Sequence, residues 1–318
     1  MKQKGIAVCC LFLLLALSLT ACQSSNDVRD EATPDVHYEE TSDVSYEESS
    51  SLMDDELTST EDETLTTTEP TASAPEPEYS EGLSYRLAEG SYYIVVGMGN
   101  CTDVNVIIPA THNGKEVRYI ESLEGAENVK TLVIPDTVIG YVSGALKWCT
   151  NLEELTLPIL CPPTHSLFAL FNESYADSYT PQKLKKVTLT KETKIGERSF
   201  ACFASIESII LPNTLTAIED EAFSGCSSLK TLAIPQGVTS IGRNIVNQCT
   251  SLKSILLPSS LQKIDANMLF RFGCSNNIVV CYEGTVNQWS QLIERYRWFT
   301  PEITIICSDG EWQYTEES

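Results

Sequence analysis

LPNTLTAIEDEAFSGCSSLKTLA (Leu211–Ala233) and IPQGVTSIGRNIVNQCTSLKSIL (Ile234–Leu256) follow one another without a gap and repeat one pattern. Counting from Pro212 and Pro235 gives a common set of slots. Aliphatics stand three on (Leu215, Val238) and six on (Ile218, Ile241), and a pair follows at ten and eleven (Ala222-Phe223, Ile245-Val246). Cys226 and Cys249 come next, then Leu229/Leu252, Leu232/Ile255 and Ile234/Leu257, closed by Pro235 and Pro258. A period of about 23 residues is the signature of a stacked solenoid, because one such unit cannot bury its own apolar face and neighbours must. Leu232-Ala233-Ile234 alternates in-out-in, as a short half-buried strand does. The proline after it has no N–H and ends the ladder. Gly242 permits a turn closed to bulkier residues, although Glu219 holds that slot one repeat earlier. The Ala-Phe pair, the Cys and the Leu fill the far side at three-residue spacing, which suits one turn of 3₁₀ or α-helix.

The pattern LP-x-x-L-x-x-I-x-x-x-AF-x-x-C-x-x-L-x-x-L-x-IP resembles the BspA-like class of bacterial leucine-rich repeats, found in surface proteins. The resemblance runs from about Leu83 to the C-terminus. The fold class expected is therefore a repeat solenoid with short parallel strands and short 3₁₀ or α turns, preceded by a disordered tether.

Toward the N-terminus, two looser repeats end at Pro135 and Pro158, with Leu146, Cys149, Leu152, Leu155 and Leu157 on the slots. The period then breaks. About 32 residues separate Pro158 from Thr190, which predicts an insertion of about nine residues bulging from one face between residues 161 and 181. Such an insertion reads either as a structural variant or as a contact loop, in which Phe168, Phe171, Tyr175 and Tyr179 would form an aromatic patch. Upstream, Tyr92–Val96 and Val104–Ile108 are strand-like runs about a glycine-rich turn. Residues 83–120 are similar to the entry module that often precedes these repeats, and an atypical terminal unit covers the first apolar layer. Repeats are expected over 121–280 and a C-terminal cap and tail over 281–318. There CYEGTVNQW resembles a closing segment common in this class. A helix from Val286 to about Tyr296, with Trp289 and Leu292 facing inward, would cap the last layer.

The first 82 residues are of another kind. Met1-Lys2-Gln3-Lys4 and the apolar run Gly5–Leu17 read as a signal peptide over 1–21, too short for a comfortable membrane span. Leu19-Thr20-Ala21-Cys22 resembles the lipobox of bacterial lipoproteins, which implies cleavage before Cys22 and diacylation of its thiol. Residues 22–82 are rich in Ser, Thr, Asp and Glu with a lone Arg29, a composition that cannot offset ordering entropy. As a flexible coil of about 60 residues this tether spans roughly 40–50 Å, and about 200 Å at full extension.

The formal net charge of −23 argues against nucleic acid as a partner. Three histidines, none close together, and the lack of any CxxC disfavour a metal centre. Cys149, Cys226 and Cys249 share one slot that Phe203 and Phe272 fill elsewhere, which marks buried free thiols acting as small hydrophobes. Cys161 and His165 are the one close Cys/His pair and have no third orienting group. With neither a phosphate loop nor a dinucleotide fingerprint, no catalytic residue and no cofactor are expected. What remains is surface. Outward strand positions align as Val133, Thr156, Thr188, Ile210, Ala233, Leu256 and as Thr131, Glu154, Lys186, Ser208, Thr231, Ser254. The candidate binding face is Ile210, Ala233 and Leu256 with Thr188, Ser208, Thr231 and Ser254 around them. The expected function is a lipid-anchored, non-enzymatic module on the outer face of a Gram-positive cell membrane, binding a protein or glycan as adhesins of this class do. The alternative is a structural or accessory lipoprotein acting on the bacterium's own envelope.

Overall fold

The computed structural model describes residues 79–160, 166–172, 180–264, 278–293 and 304–312. They form a parallel-stranded solenoid of leucine-rich repeats. Residues 1–78 lie outside the described residues. The folded part starts slightly earlier than the expected boundary at 82/83. Ser80 is already buried, its amide donating to Ile107 O at 3.0 Å while its hydroxyl accepts from Ile107 N at 3.1 Å.

The stack opens with an antiparallel hairpin, β1 (Ser84–Ala88) and β2 (Tyr92–Gly97). β3 (Asn105–Ile107) follows, then a second short hairpin of β4 (Thr111–His112) and β5 (Lys115–Ile120), with β5 parallel to β2. From here each turn contributes one strand to a main sheet and, in most turns, a two-residue strand to a side ladder. In chain order these are β6 (Thr131–Val133), β7 (Gly140–Tyr141) and β8 (Glu154–Leu157). Helix α1 (Phe168–Phe171) precedes β9 (Lys186–Leu189), β10 (Lys194–Ile195), β11 (Ser208–Ile210) and β12 (Ala217–Ile218). Then come β13 (Thr231–Ala233), β14 (Ser240–Ile241), β15 (Ser254–Leu257), β16 (Lys263–Ile264) and β17 (Val279–Tyr282). Helix α2 (Val286–Ile293), β18 (Thr304–Cys307) and β19 (Gly310–Trp312) complete the described chain.

The main sheet is written by the in-out-in triplets. It runs β3-β6-β8-β9-β11 and then β13-β15-β17-β18-β19, parallel until β19 turns back against β18. The side ladder pairs β5 with β7 and runs β10-β12-β14-β16. Between the two lies one continuous core, in which Phe200, Phe203, Phe223, Leu132, Leu146, Leu152 and Leu155 are fully buried.

The far side makes the single short turns expected and does not extend into helices. It is a series of single i→i+3 turns, such as Cys226 N to Phe223 O and Cys249 N to Val246 O, both 3.1 Å. A left-handed residue interrupts each before a helix can propagate: Glu221 and Gly225 in one turn, Asn244 and Gln248 in the next. Gly242 is not left-handed. A Cβ there would stand 2.4 Å from Asp220 Oδ1, so the position is small because a neighbouring turn presses on it.

The insertion does not simply bulge. Leu146 N donates to Leu170 O at 2.7 Å, the bond that Phe200 makes to Ala222 and Phe223 to Ile245. Toward the preceding turn Leu170 and Phe171 thus stand where Ala222 and Phe223 do, while toward the following turn it is Leu167 N that donates to Ser199 O at 2.9 Å, and all three are buried. Phe171 stands thirteen residues after Pro158 rather than eleven, and Leu184 stands thirteen after Phe171 rather than six. Two of the nine extra residues therefore precede the buried turn and seven follow it. Residues 161–165 and 173–179 lie outside the described residues. The main sheet crosses this turn intact, with Leu155 opposite Val187.

At the C-terminal end α2 covers the last layer with Trp289 and Ile293, four apart on one face, both buried. Leu292, expected inward, packs only partly against the core. The tail adds a further main-sheet strand, β18, rather than trailing away.

Candidate binding face

The two outward rows are physical rows. Ser208 faces Lys186 and Ile210 faces Thr188 across β9 and β11; Thr231 faces Ser254 and Ala233 faces Leu256 across β13 and β15. Adjacent strands in a sheet stand about 4.8 Å apart, so each row is a ladder of side chains at that spacing. Ile210 is 47% exposed, and Ala233 is exposed as well. Leu256, Thr188, Ser208, Thr231 and Ser254 are half-buried. The apolar row also runs further than the triplets suggested. Leu256 is opposite Cys281, which is opposite Ile306, although Cys281 is itself buried. The sequence hid this because β18 follows α2 and lacks the repeat's spacing.

The two ends of the face differ in chemistry. Toward the N-terminus its polar groups pair internally: Thr131 Oγ1 donates to Asn105 Oδ1 at 3.0 Å, and Lys186 Nζ to Glu154 Oε2 at 2.8 Å. Ion pairs also join Lys130 to Glu153 at 3.2 Å and Lys185 to Glu207 at 3.5 Å. Toward the C-terminus the row becomes hydroxyls beside aliphatics.

The proposed aromatic patch on the insertion is corrected in part. Phe171 is 2% exposed, its ring 6.2 Å from that of Phe203, because it fills a core slot. Phe168 is half-buried against the core. Tyr175 and Tyr179 lie outside the described residues, as do Cys22, Cys161, His165 and Phe272.

The cysteine slot behaves as a core slot with one added feature. Cys149, Cys226 and Cys249 are buried free thiols. The Cys226 thiol donates to Phe200 O at 3.1 Å and that of Cys249 to Phe223 O at 3.2 Å, each reaching the turn before. Burial, aided by the nearby Glu127 carboxylate, pushes the Cys149 thiol up to about 12. Among the described residues no group of three or more His, Cys, Asp or Glu could hold a metal. No helix of the described residues is long and apolar enough to cross a membrane.

A pocket of about 450 Å³ lies on the side ladder, lined by Glu197, Glu219, Asp220, Arg243 and Lys263 among others. Its charges are largely spent on one another. Arg243 N donates to Asp220 Oδ1 at 2.8 Å and its guanidinium to Oδ2 at 2.8 Å, while Lys194 sits 2.6 Å from Glu219. The backbone bond from Arg243, with its guanidinium behind it, holds the Asp220 carboxyl below the usual carboxylate range.

Residues 172–290 match the model of the BspA type leucine rich repeat region, in six copies. These are BspA-type leucine-rich repeats. No curated protein matches the chain. Among solved structures it is similar to a leucine-rich repeat protein of T. pallidum, at 17% identity over 65% of this chain and 71% of that one, with a TM-score of 0.30. A leucine-rich repeat protein from Bacteroides ovatus aligns at 20% identity over 72% and 66% of the two chains, with a TM-score of 0.37. A leucine rich cell surface protein from Faecalibacterium prausnitzii aligns at 17% over 70% and 98%, with a TM-score of 0.28. The match over 172–290 begins at Asn172, just after the displaced Leu170-Phe171 pair. The looser repeats ending at Pro135 and Pro158 lie upstream of the match.

Proposed function

We propose that this chain is a lipid-anchored, non-enzymatic repeat module on the outer surface of a Gram-positive bacterium, and that it binds a protein or glycan ligand there in the manner of an adhesin. The observation that carries the reading is the outward apolar row on the main sheet, with Ile210 at 47% exposure on β11, Ala233 and Leu256 on β13 and β15, and Thr188, Ser208, Thr231 and Ser254 around them. Interfaces concentrate their energy in a few central residues shielded from water by near-neutral ones around them, and an apolar row among hydroxyls can supply such a centre. The anchor half of the reading rests on Cys22 in its Leu-Thr-Ala-Cys setting and on the acidic, Ser/Thr-rich residues 22–82 after it.

Two variants test the two halves. Cys22→Ser moves the protein from the membrane fraction to the medium or to an uncleaved precursor; labelled fatty acid on the variant at wild-type levels refutes the anchor. For the face, Ile210→Glu is the cleaner choice. Leu256 is half-buried, so a charge there would weaken the fold as well. Intact protein is assayed against a set of purified extracellular host proteins and glycans and against isolated envelopes of its own bacterium. Ile210→Glu lowers binding at least about tenfold with little change in melting temperature. Normal binding by Ile210→Glu together with loss in a Tyr175→Ala/Tyr179→Ala variant transfers the site to the insertion. Binding confined to the bacterium's own envelope makes the chain an envelope component instead of an adhesin.

A further inference from the structure

One boundary between turns is built differently from the others. Where β8 meets β6, the amides of Glu153 and Glu154 both donate to Lys130 O, at 2.7 and 3.0 Å. The same fork recurs from Lys185 and Lys186 to Glu153 O, from Glu207 and Ser208 to Lys185 O, and from Lys253 and Ser254 to Lys230 O. Between β11 and β13 it is missing. The amides of Lys230 and Thr231 make no such bond to Glu207 O, and β11 ends one five-stranded sheet while β13 begins the other. The rest of this boundary is intact. On the side ladder Ile195 pairs with Ile218, and on the far side Arg198, Phe200 and Cys202 donate to Asp220 O, Ala222 O and Ser224 O.

The lips of the gap are polar and buried. Glu207 is 3% exposed, and neither carboxylate oxygen has a hydrogen-bond partner; the ammonium of Lys185 is its nearest cation, at 3.5 Å. Lys230, the equivalent residue one turn on, is 8% exposed and makes no ion pair among the described residues. Ser227 Oγ is buried without a partner, and the last bond to cross before the gap runs from Ser228 Oγ to Ala204 O. A buried carboxylate lacking hydrogen bonds is unfavourable and gains by meeting water. Backbone groups without ladder partners gain in the same way. Closing the gap restores the ladder, and opening it further lets water reach Glu207.

We propose that the boundary between β11 and β13 is a hinge, at which the main sheet opens and closes about the continuous side ladder. The hinge runs through the candidate binding face, between Ile210 and Ala233, so its opening sets how far apart those side chains stand. It holds whether or not that face binds a partner.

Amide hydrogen exchange on the full chain, read residue by residue, tests it directly. Lys230 and Thr231 exchange about a hundredfold faster than Lys253 and Ser254, their equivalents one turn on, while Phe223 and Thr239 stay protected. Equal protection of the two pairs overturns the hinge. Glu207→Leu/Lys230→Leu then removes the charges; the Lys230 and Thr231 amides slow at least about tenfold, since apolar residues of similar size tolerate the dry, closed state. The milder Glu207→Gln/Lys230→Met pair serves if the first variant loses Phe223 protection. No slowing in a variant that keeps Phe223 protected shows that the charges do not open the gap, and the proposal fails.

Discussion

Residues 221, 225, 244 and 248 are held in the left-handed region, and one of these four is a glycine. The same two slots are filled by Arg198 and Cys202 in the preceding turn, and Gly144 holds the first of them earlier still. A left-handed conformation costs a non-glycine residue about 1–2 kcal/mol, against about 0.5–1 kcal/mol for the extra unfolded-state freedom of glycine. Gln248 is exposed and its side chain has no hydrogen bond among the described residues, so Gln248→Gly gains about 0.5–1 kcal/mol, a rise of a few degrees in melting temperature. The reverse change, Gly225→Ala, loses on both counts. Its φ is +77° and the new Cβ meets Cys202 backbone atoms at 3.2 Å, so its melting temperature falls. A lower melting point for Gln248→Gly would show that the slot is not strained. The thiols give a second residue-scale outcome, with a pH sign. Iodoacetamide labels exposed Cys202 in the folded protein and reaches Cys149, Cys226 and Cys249 only after denaturant. Burial raises the folded Cys149 thiol from 9.0 to about 12 and Cys307 from 9.0 to about 11. The neutral form is the one the fold prefers, so its contribution is fully present below pH 9 and is lost as pH climbs through the folded values. Denaturation midpoints therefore fall between about pH 9 and 12, and less steeply in a Cys149→Ala variant.

Single elements show where the pattern could be read and where it could not. From Pro212 to Pro258 every inward slot carries an apolar residue twice, so strands β13 and β15 and the buried Phe223 follow from counting alone. Counting fails at the insertion, because the count from Pro158 runs two residues ahead of the slot before Phe171 is reached. An aromatic cluster in an irregular stretch looks like a surface loop, yet Phe171 and Phe203 are neighbours in the core. Phe171→Ala accordingly costs about 3–5 kcal/mol, as does Phe223→Ala, and urea midpoints measure both. A Phe171→Ala midpoint equal to wild type would return that residue to the surface. The gap between β11 and β13 was illegible for a different reason. Its column reads Lys130, Glu153, Lys185, Glu207, Lys230, Lys253, and three of its lysines are exposed while Glu153 is half-buried. Nothing in the residue types marks Glu207 and Lys230 as the two that are buried.

For the molecule as a stack, the exposed problem is its ends. Parallel sheets leave an unpaired edge at each terminus, a template for pairing with another chain. The β1–β2 hairpin closes the β5–β7 ladder at the N-terminal end, and the β18–β19 hairpin closes the main sheet at the C-terminal end. The C-terminal hairpin is tied into the cap as well as the sheet. Asp309 Oδ1 accepts from Val286 N at 2.7 Å at the start of α2, and Ser308 N donates to Gly284 O at 2.9 Å. Removing residues 304–318 thus uncovers the edge of β17 and strips the first turn of α2 of a carboxylate that favours it. Because stability in a repeat stack is passed between neighbours, the loss is felt first in the last turns and little in the first. Amides of β15 and β17 lose protection in the truncated chain, while those of β6 and β8 keep theirs. The bare β17 edge, Val279-Val280-Cys281-Tyr282, is uncharged and apolar, so the truncated protein shifts to higher mass with concentration in sedimentation, beyond anything the full chain does. If the truncated chain sediments as the full one at every concentration, the terminal hairpin is not guarding the edge, and α2 with Trp289 and Ile293 suffices to close the stack.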